Sequence, residues 1–404
     1  MIHTHTLSNG LRIIHRPFPS GISYCGIVVN AGSRDEYPDE FGMAHFVEHM
    51  LFKGTERRKA HHIASRMENV GGELNAYTTK EETFFYATFL EEYFSRATEL
   101  LGDILFHSVF SPGQIERERE VILDEINSYH DSPSELIYDD FENMLYKGHE
   151  MGHYILGEPE ALHSFSRERI LSFMQRQYQP SEMVFFSFGK TAFEKVIRQV
   201  EKYFCMTQEA IPQKRRTPPG NFVPHREKVD KNTTQTHVML GCSTFSMHHS
   251  QKYALFMLNN ILGGDSLNSR LNASLREKHG LAYHVESNVT LYSDNGLFSV
   301  YFACDPKYRD KCIRLVGREI DKIKKTDLTP MQLALAKKQW KGQMGIAAES
   351  HENSALAMAK QYLHFNCYTP LEDLFSRIDA LTSKQVKEVA EEIFAAKPFE
   401  LIYY

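Results

Sequence analysis

Gly42-Met43-Ala44-His45-Phe46-Val47-Glu48-His49-Met50-Leu51-Phe52 is the stretch on which the reading of this chain turns. Wound as a helix, it puts His45 and His49 at i and i+4 on one face, one turn apart. That is the spacing at which two imidazoles close on a single tetrahedral zinc ion. Glu48 then stands beside the second imidazole, where a carboxylate can take a proton from water, in the reverse of the commoner His-Glu-x-x-His order. In a chain with 20 His, such a five-residue match arises by chance in roughly one sequence in fifteen, so the motif stands only with a third ligand.

Working outward, Ser23 to Ser33 is a β-rich run, and Gly32-Ser-Arg-Asp-Glu36 with Pro38 turns it into the histidine helix. Before it, the first fifteen residues alternate polar and apolar and turn at Asn9-Gly10, which predicts an opening β-hairpin. His3 and His5 sit on its first strand and are expected to face solvent. Gly54-Thr55 closes the histidine helix, and His62 to Val70 has helical spacing up to Gly71-Gly72. Two β segments follow, Glu73 to Thr79 (including Asn75, Ala76 and Tyr77) and Glu82 to Phe89, which read as an antiparallel pair. Leu90 to Phe106 is an amphipathic helix, and Ser111 caps a long charged one from Pro112 to Asn127. Glu118 and Glu125 lie seven apart on it, two turns along one face. Taken alone, its charges are a solvated, salt-bridged face. Leu136 to Tyr146 continues the helical layer, and Met183 to Gly189 returns as a buried strand.

A chain of 404 residues exceeds the size at which one core keeps growing, so two domains are expected. The basic, Pro-rich Ile211 to Asn221 reads as a linker. It gives residues 1–212 as the first domain, 213–224 as the linker and 225–404 as the second domain. Beyond the linker the order of elements repeats: a β run from Thr236 to Gly241, a helix containing Asn259 to Leu275, two strands between Tyr283 and Tyr301 turning at Asp294-Asn-Gly, and a long helix. Leu328-Thr-Pro-Met-Gln-Leu then echoes Phe110-Ser-Pro-Gly-Gln-Ile. The expected fold is α+β: two homologous domains of one topology, each a mainly antiparallel sheet packed with helices. A net charge of -6 argues against a nucleic-acid partner. Six scattered cysteines without a CxxC pair fit neither a disulfide framework nor a thiolate metal site. No signal peptide precedes the opening hairpin and no apolar run of about 20 residues is present, so a soluble, cytoplasmic protein with no membrane contact is expected.

Together these residues resemble the inverzincin family of peptidases that includes pitrilysin, insulin-degrading enzyme and the mitochondrial processing peptidases. The resemblance runs through Gly32-Ser-Arg-Asp-Glu, the His45 motif up to Thr55, Gly71-Gly-Glu-Leu-Asn-Ala-Tyr-Thr, Glu116 to Glu125, and Leu275-Arg-Glu-Lys-His-Gly-Leu-Ala-Tyr283. It covers essentially the whole chain, whose length fits the short, processing-peptidase-like branch. It implies a zinc endopeptidase acting on unfolded or short peptides, with one Zn2+ per chain held by His45, His49 and Glu125, the last standing 76 residues after His49. Such a His2Glu set leaves one coordination position open, the mark of a catalytic site. The resemblance makes Glu48 the base and Glu118 the carboxylate that orients a ligating histidine. Arg276 and Tyr283 become the pair that binds substrate near the site, and Asn75, Ala76 and Tyr77 the strand to which a peptide adds. It also implies a homodimer, or a heterodimer with a related subunit, enclosing a chamber, with Arg276 and Tyr283 acting on either chain's zinc. The competing class is a non-catalytic, peptide-binding or scaffold subunit, which is expected to lack some of these residues.

Overall fold

The computed structural model describes residues 2–205, 215–220 and 222–404. In chain order the first half holds β1 (His3–Thr6), β2 (Arg12–Pro17), β3 (Ile22–Val29), α1 (Met43–Met50), α2 (Ala60–Glu68), β4 (Glu73–Thr78), β5 (Thr83–Leu90), α3 (Phe94–Phe106), α4 (Pro112–His130), α5 (Pro133–Leu145), α6 (Pro159–Leu162), α7 (Arg167–Gln177), β6 (Met183–Gly189) and α8 (Phe193–Phe204). The second half holds β7 (Arg226–Val229), β8 (Thr236–Thr244), α9 (Lys252–Gly263), β9 (Ala282–Leu291), β10 (Gly296–Cys304), α10 (Arg309–Lys325), α11 (Pro330–Ala348), α12 (His351–Phe365), α13 (Leu371–Ala380), α14 (Ser383–Ile393) and β11 (Phe399–Tyr403).

The strands form two sheets, ordered β1-β2-β6-β3-β5-β4 and β7-β11-β8-β10-β9. Without β1, the first order matches the second strand for strand, so the two halves share one topology. Each sheet is antiparallel except for one parallel pair, β2 with β6 and β7 with β11. The parallel pair arises because the strand closing each sheet returns only after the whole helical excursion, and so enters from the same end as the opening strand.

The chain divides into two compact units that are not contiguous in sequence. Unit 1 is Met1–Asn127, His153–Arg216 and Ala348–Tyr368; unit 2 is Ser128–Gly152, Thr217–Ala347 and Thr369–Tyr404. The reason lies in two helices. On one face of the first sheet, Val28, Phe84, Val184 and Phe186 are covered by Met358, Ala359, Tyr362 and Leu363 of α12, a second-half helix. The matching face of the second sheet, with Met239, Tyr301, Leu401 and Tyr403, is covered by Ile137, Phe141 and Leu145 of α5, a first-half helix. Each repeat therefore lends its sheet-covering helix to the other. The remaining face of each sheet packs on its own helices, Ile27 and Phe85 against Leu101 and Val200 in unit 1 and Val300 and Ile402 against Val316 and Val389 in unit 2. With both faces covered, β6 is buried along its whole length, as its unbroken apolar run requires.

Two expectations meet a different outcome. The helix expected through Asn259 to Leu275 stops at Gly263, and a separate wide-wound helical segment covers Asn272–Lys278. The stop has a local cause, since a Cβ on Gly263 would lie 2.7 Å from the Ser287 nitrogen, so the chain turns there against β9. The expected linker falls partly outside the described residues, at 213, 214 and 221. Within it, Arg216 is not solvated: it pairs with Asp35 at 2.8 Å and donates to the Glu81 carbonyl at 2.9 Å. None of the six cysteines is disulfide-bonded.

Candidate metal centre

The histidine helix is seated before any ligand is considered. Gly42 opens α1 at φ +97°, where a side chain would meet the Gly157 backbone at 2.8 Å. A carboxylate supplies what the helix start lacks: Gly42 N–H donates to Glu36 Oε2 at 2.9 Å and Ala44 N–H to Glu36 Oε1 at 2.8 Å. Two of the helix's orphan N–H groups are thereby satisfied. Burial pushes the Glu36 carboxyl well above its ordinary range, against these two donors. His153 Nε2 lies 3.0 Å from the same carboxyl and stacks on Phe41. Met43, Phe46, Val47 and Met50 bury one face of α1 in the unit 1 core, which leaves the His45, Glu48 and His49 face to line the site.

Glu125 of α4 meets the two imidazoles there. His45 Nε2 lies 3.9 Å from Glu125 Oε1, and His49 Nε2 lies 3.7 Å from Glu125 Oε2. These separations are too long for hydrogen bonds, yet an ion about 2.0–2.2 Å from each donor spans them. Among the described residues, His45, His49 and Glu125 are the one trio of His, Cys, Asp or Glu donors that gathers within 4.8 Å, and the chemistry of the set fits zinc. Burial, with the neighbouring His49, lowers the His45 pKa to about 3, which keeps the ring in the neutral form a metal requires. The carboxylate side is open, with the Glu125 side chain 43% exposed.

Behind the trio, His49 Nδ1 is 2.7 Å from Glu118 Oε1, and Lys53 pairs with the other Glu118 oxygen at 2.7 Å. Burial raises the Glu118 pKa, but the His49 hydrogen bond and the Lys53 charge outweigh it and hold the carboxylate ionised. With Nδ1 committed, Nε2 of His49 is the nitrogen left for a metal. His45 has no such support among the described residues, where its buried Nδ1 finds no hydrogen-bond partner.

Glu48 is buried beside the trio, and Thr78 Oγ1 donates to its Oε2 at 2.6 Å. Burial raises the Glu48 pKa, the Thr78 bond opposing it. Thr78 ends β4, the strand that carries Asn75, Ala76 and Tyr77 and forms the outer edge of its sheet. Those three residues pair with Tyr86, Phe85 and Phe84 of β5, and Tyr77 stacks on Phe84. The opposite edge of β4 pairs with no strand among the described residues, and Glu48 touches its last residue.

Arg276 and Tyr283 belong to unit 2. The Arg276 guanidinium sits 4.9 Å over the Tyr283 ring, and Tyr283 is 81% exposed. They line a polar cleft of about 230 Å³ with the Gly263-Gly264 turn, His284 and Glu286.

Residues 13–158 match the family model described as Insulinase (Peptidase family M16), and residues 164–340 match the one described as Peptidase M16 inactive domain. The chain is 32% identical over 397 residues to the uncharacterized zinc protease YmxG of Bacillus subtilis, covering 98% of this chain and 96% of that one. The chain belongs to the M16 insulinase family. An uncharacterized zinc protease of Streptomyces coelicolor is 32% identical over 403 residues, covering 97% of this chain and 87% of its own. The crystal structure of a protease from Helicobacter pylori superposes with a TM-score of 0.92 at 23% identity, over 100% of this chain and 99% of that one, and shares its fold.

Within this M16 chain the donor trio falls inside the stretch matched by the insulinase model. Sequence reasoning missed Glu36, Lys53 and Thr78 as parts of the site. All three lie inside stretches that carry the resemblance, Glu36 as the last residue of Gly32-Ser-Arg-Asp-Glu, Lys53 after the His45 motif and Thr78 at the end of Gly71-Gly-Glu-Leu-Asn-Ala-Tyr-Thr, yet the sequence assigns no role to any of them.

Proposed function

We propose that this protein is a zinc-dependent endopeptidase that hydrolyses unfolded or short peptides, with one Zn2+ per chain held by His45, His49 and Glu125. The observation that carries the reading is the gathering of two imidazole nitrogens and a carboxylate within 4.8 Å, beside the buried Glu48 carboxylate, which stands outside the trio and accepts from Thr78. Zinc in such a site supplies a Lewis acid that polarises a carbonyl and lowers the pKa of water toward about 7. Glu48 accepts the proton of the attacking water and delivers it to the leaving amine, and Thr78 holds its carboxylate in place. Glu118 fixes the His49 ring. Arg276 and Tyr283 donate to the developing oxyanion, in cis or on the partner's site. The free edge of β4 at Asn75 to Tyr77 takes the peptide as an added strand, which requires only extended backbone and so accepts many sequences.

We further propose a dimer enclosing a chamber, with the peptide as partner, and a cytoplasmic location. No helix of the described residues is long and apolar enough to cross a membrane. A non-catalytic scaffold is disfavoured because Glu48, the donor trio and the Arg276–Tyr283 pair are all present.

The test is Glu48→Gln, assayed for zinc content and for cleavage of a quenched fluorescent peptide. Zinc should stay near wild type while kcat/KM falls by about 10²–10⁴-fold. Equal turnover in both proteins removes Glu48 as the base, and wild type that binds zinc without cleaving any peptide leaves only the scaffold.

A further inference from the structure

The two units pack corresponding helix pairs, α3 with α8 and α10 with α14, and the correspondence exposes a space present in only one of them. Gly102 is the ninth residue of α3, and Gly317 is the ninth of α10. At Gly102 a Cβ would meet the Tyr203 carbonyl oxygen at 2.9 Å, so the glycine is what lets α8 approach. At Gly317 a Cβ would meet nothing within 4 Å. A glycine inside a helix costs about 1 kcal/mol relative to alanine, and here no close contact offsets it.

Gly317, itself exposed, instead borders an open-mouthed apolar pocket of about 290 Å³ in unit 2, whose floor is formed by Leu240, Phe298, Val300, Ile313, Ile320 and Phe394. Small-molecule sites begin at about 300 Å³, so the pocket is of the size that takes one small ligand. The rim carries Asp321, Glu400 and Lys324. Asp321 faces Lys325 at 3.4 Å, and Glu400 is held by Arg226 at 2.5 Å. Lys324 donates to the Phe394 carbonyl at 2.6 Å and has no carboxylate partner among the described residues. The site therefore offers an apolar pocket with the Lys324 ammonium at its mouth, which keeps two N–H donors beyond its bond to the Phe394 carbonyl.

We propose that this cavity binds a medium-chain aliphatic carboxylate, its tail beside Gly317 and its carboxylate on the Lys324 ammonium. The site is independent of the peptidase reading, and its test needs no turnover. Decanoate is titrated calorimetrically into the full-length protein, alongside decanol, with three variants. Gly317→Leu and Ile320→Phe fill the chamber from α10. They should weaken decanoate by about tenfold or more without lowering the unfolding temperature. Lys324→Gln should weaken decanoate by about fivefold and leave decanol unchanged. The proposal is overturned if wild type shows no saturable binding, or if both filled variants are folded and bind decanoate as wild type does. Equal loss of decanoate and decanol on Lys324→Gln overturns the placement of the carboxylate.

Discussion

The two units run the same strand order, yet their helices at the corresponding place differ in kind. In unit 1, α1 follows β3 and turns His45, Glu48 and His49 toward Glu125. In unit 2, α9 follows β8 and buries Ala254, Leu255, Met257, Leu258 and Leu262. Both helices bury an apolar stripe, and α1 adds to its own the His45, Glu48 and His49 face. The chemistry lives in those few side chains and not in the fold.

The sharpest way to break this contrast is to remove Glu125, the ligand proposed from α4. Glu125→Gln should lose zinc on dialysis and abolish peptide hydrolysis, while unit 2 keeps its fold; retained zinc would place the ligand elsewhere. Next comes the support behind it. Glu118→Gln should weaken zinc by about 10- to 100-fold, measured by competition with a chelating dye, because the His49 ring loses its anchor. Unaltered affinity would make Glu118 a partner of Lys53 alone.

A third test concerns the exchanged helix. Glu82, buried in unit 1, is met by His364 at 2.6 Å and Lys360 at 3.0 Å, both from α12. Burial pushes its carboxyl up, but these partners outweigh it and hold the pKa down at about 2. A depressed carboxyl lends stability above its ordinary pKa near 4.5 and loses it as pH falls toward 2. The contribution is on the order of 3 kcal/mol. The stability gap between wild type and Glu82→Gln should therefore be full at pH 6, begin to narrow near pH 4.5 and close only as the solution is acidified toward pH 2. A gap independent of pH would refute the ion pair. The smallest effect is a pair of opposite signs. Gly317→Ala should stabilise by about 1 kcal/mol in denaturant melts, and Gly102→Ala should destabilise, because only the second pushes on a backbone.

What the sequence made legible was local. The i, i+4 spacing of His45 and His49 needs only a helix, and the β4 and β5 alternation needs only a pair of strands. Glu125 could be named because its distance from His49 matched a known pattern; its own charged surroundings say only that α4 is solvated. Thr78 and Glu36 were hidden because each reaches the site through tertiary packing, Thr78 from the end of a strand thirty residues on. The apolar spacing of α9 resumes after Gly263-Gly264, so periodicity ran across a break that only the nearness of Ser287 explains. Arg216 looked like linker charge because Asp35, its partner, lies 181 residues away. The amphipathic faces of α5 and α12 announce that each covers a sheet, and nothing in them says which one.

That exchange of covers has a price in modularity. A gene cut between the codons for residues 205 and 225 would yield two products, each missing the lid of its own sheet and carrying its sibling's. Alone, each would present bare Phe and Tyr rows to water and tend to clump; translated together, they would be obliged to find one another. Through the helices they exchange, the two halves depend on each other for the cover of their sheets.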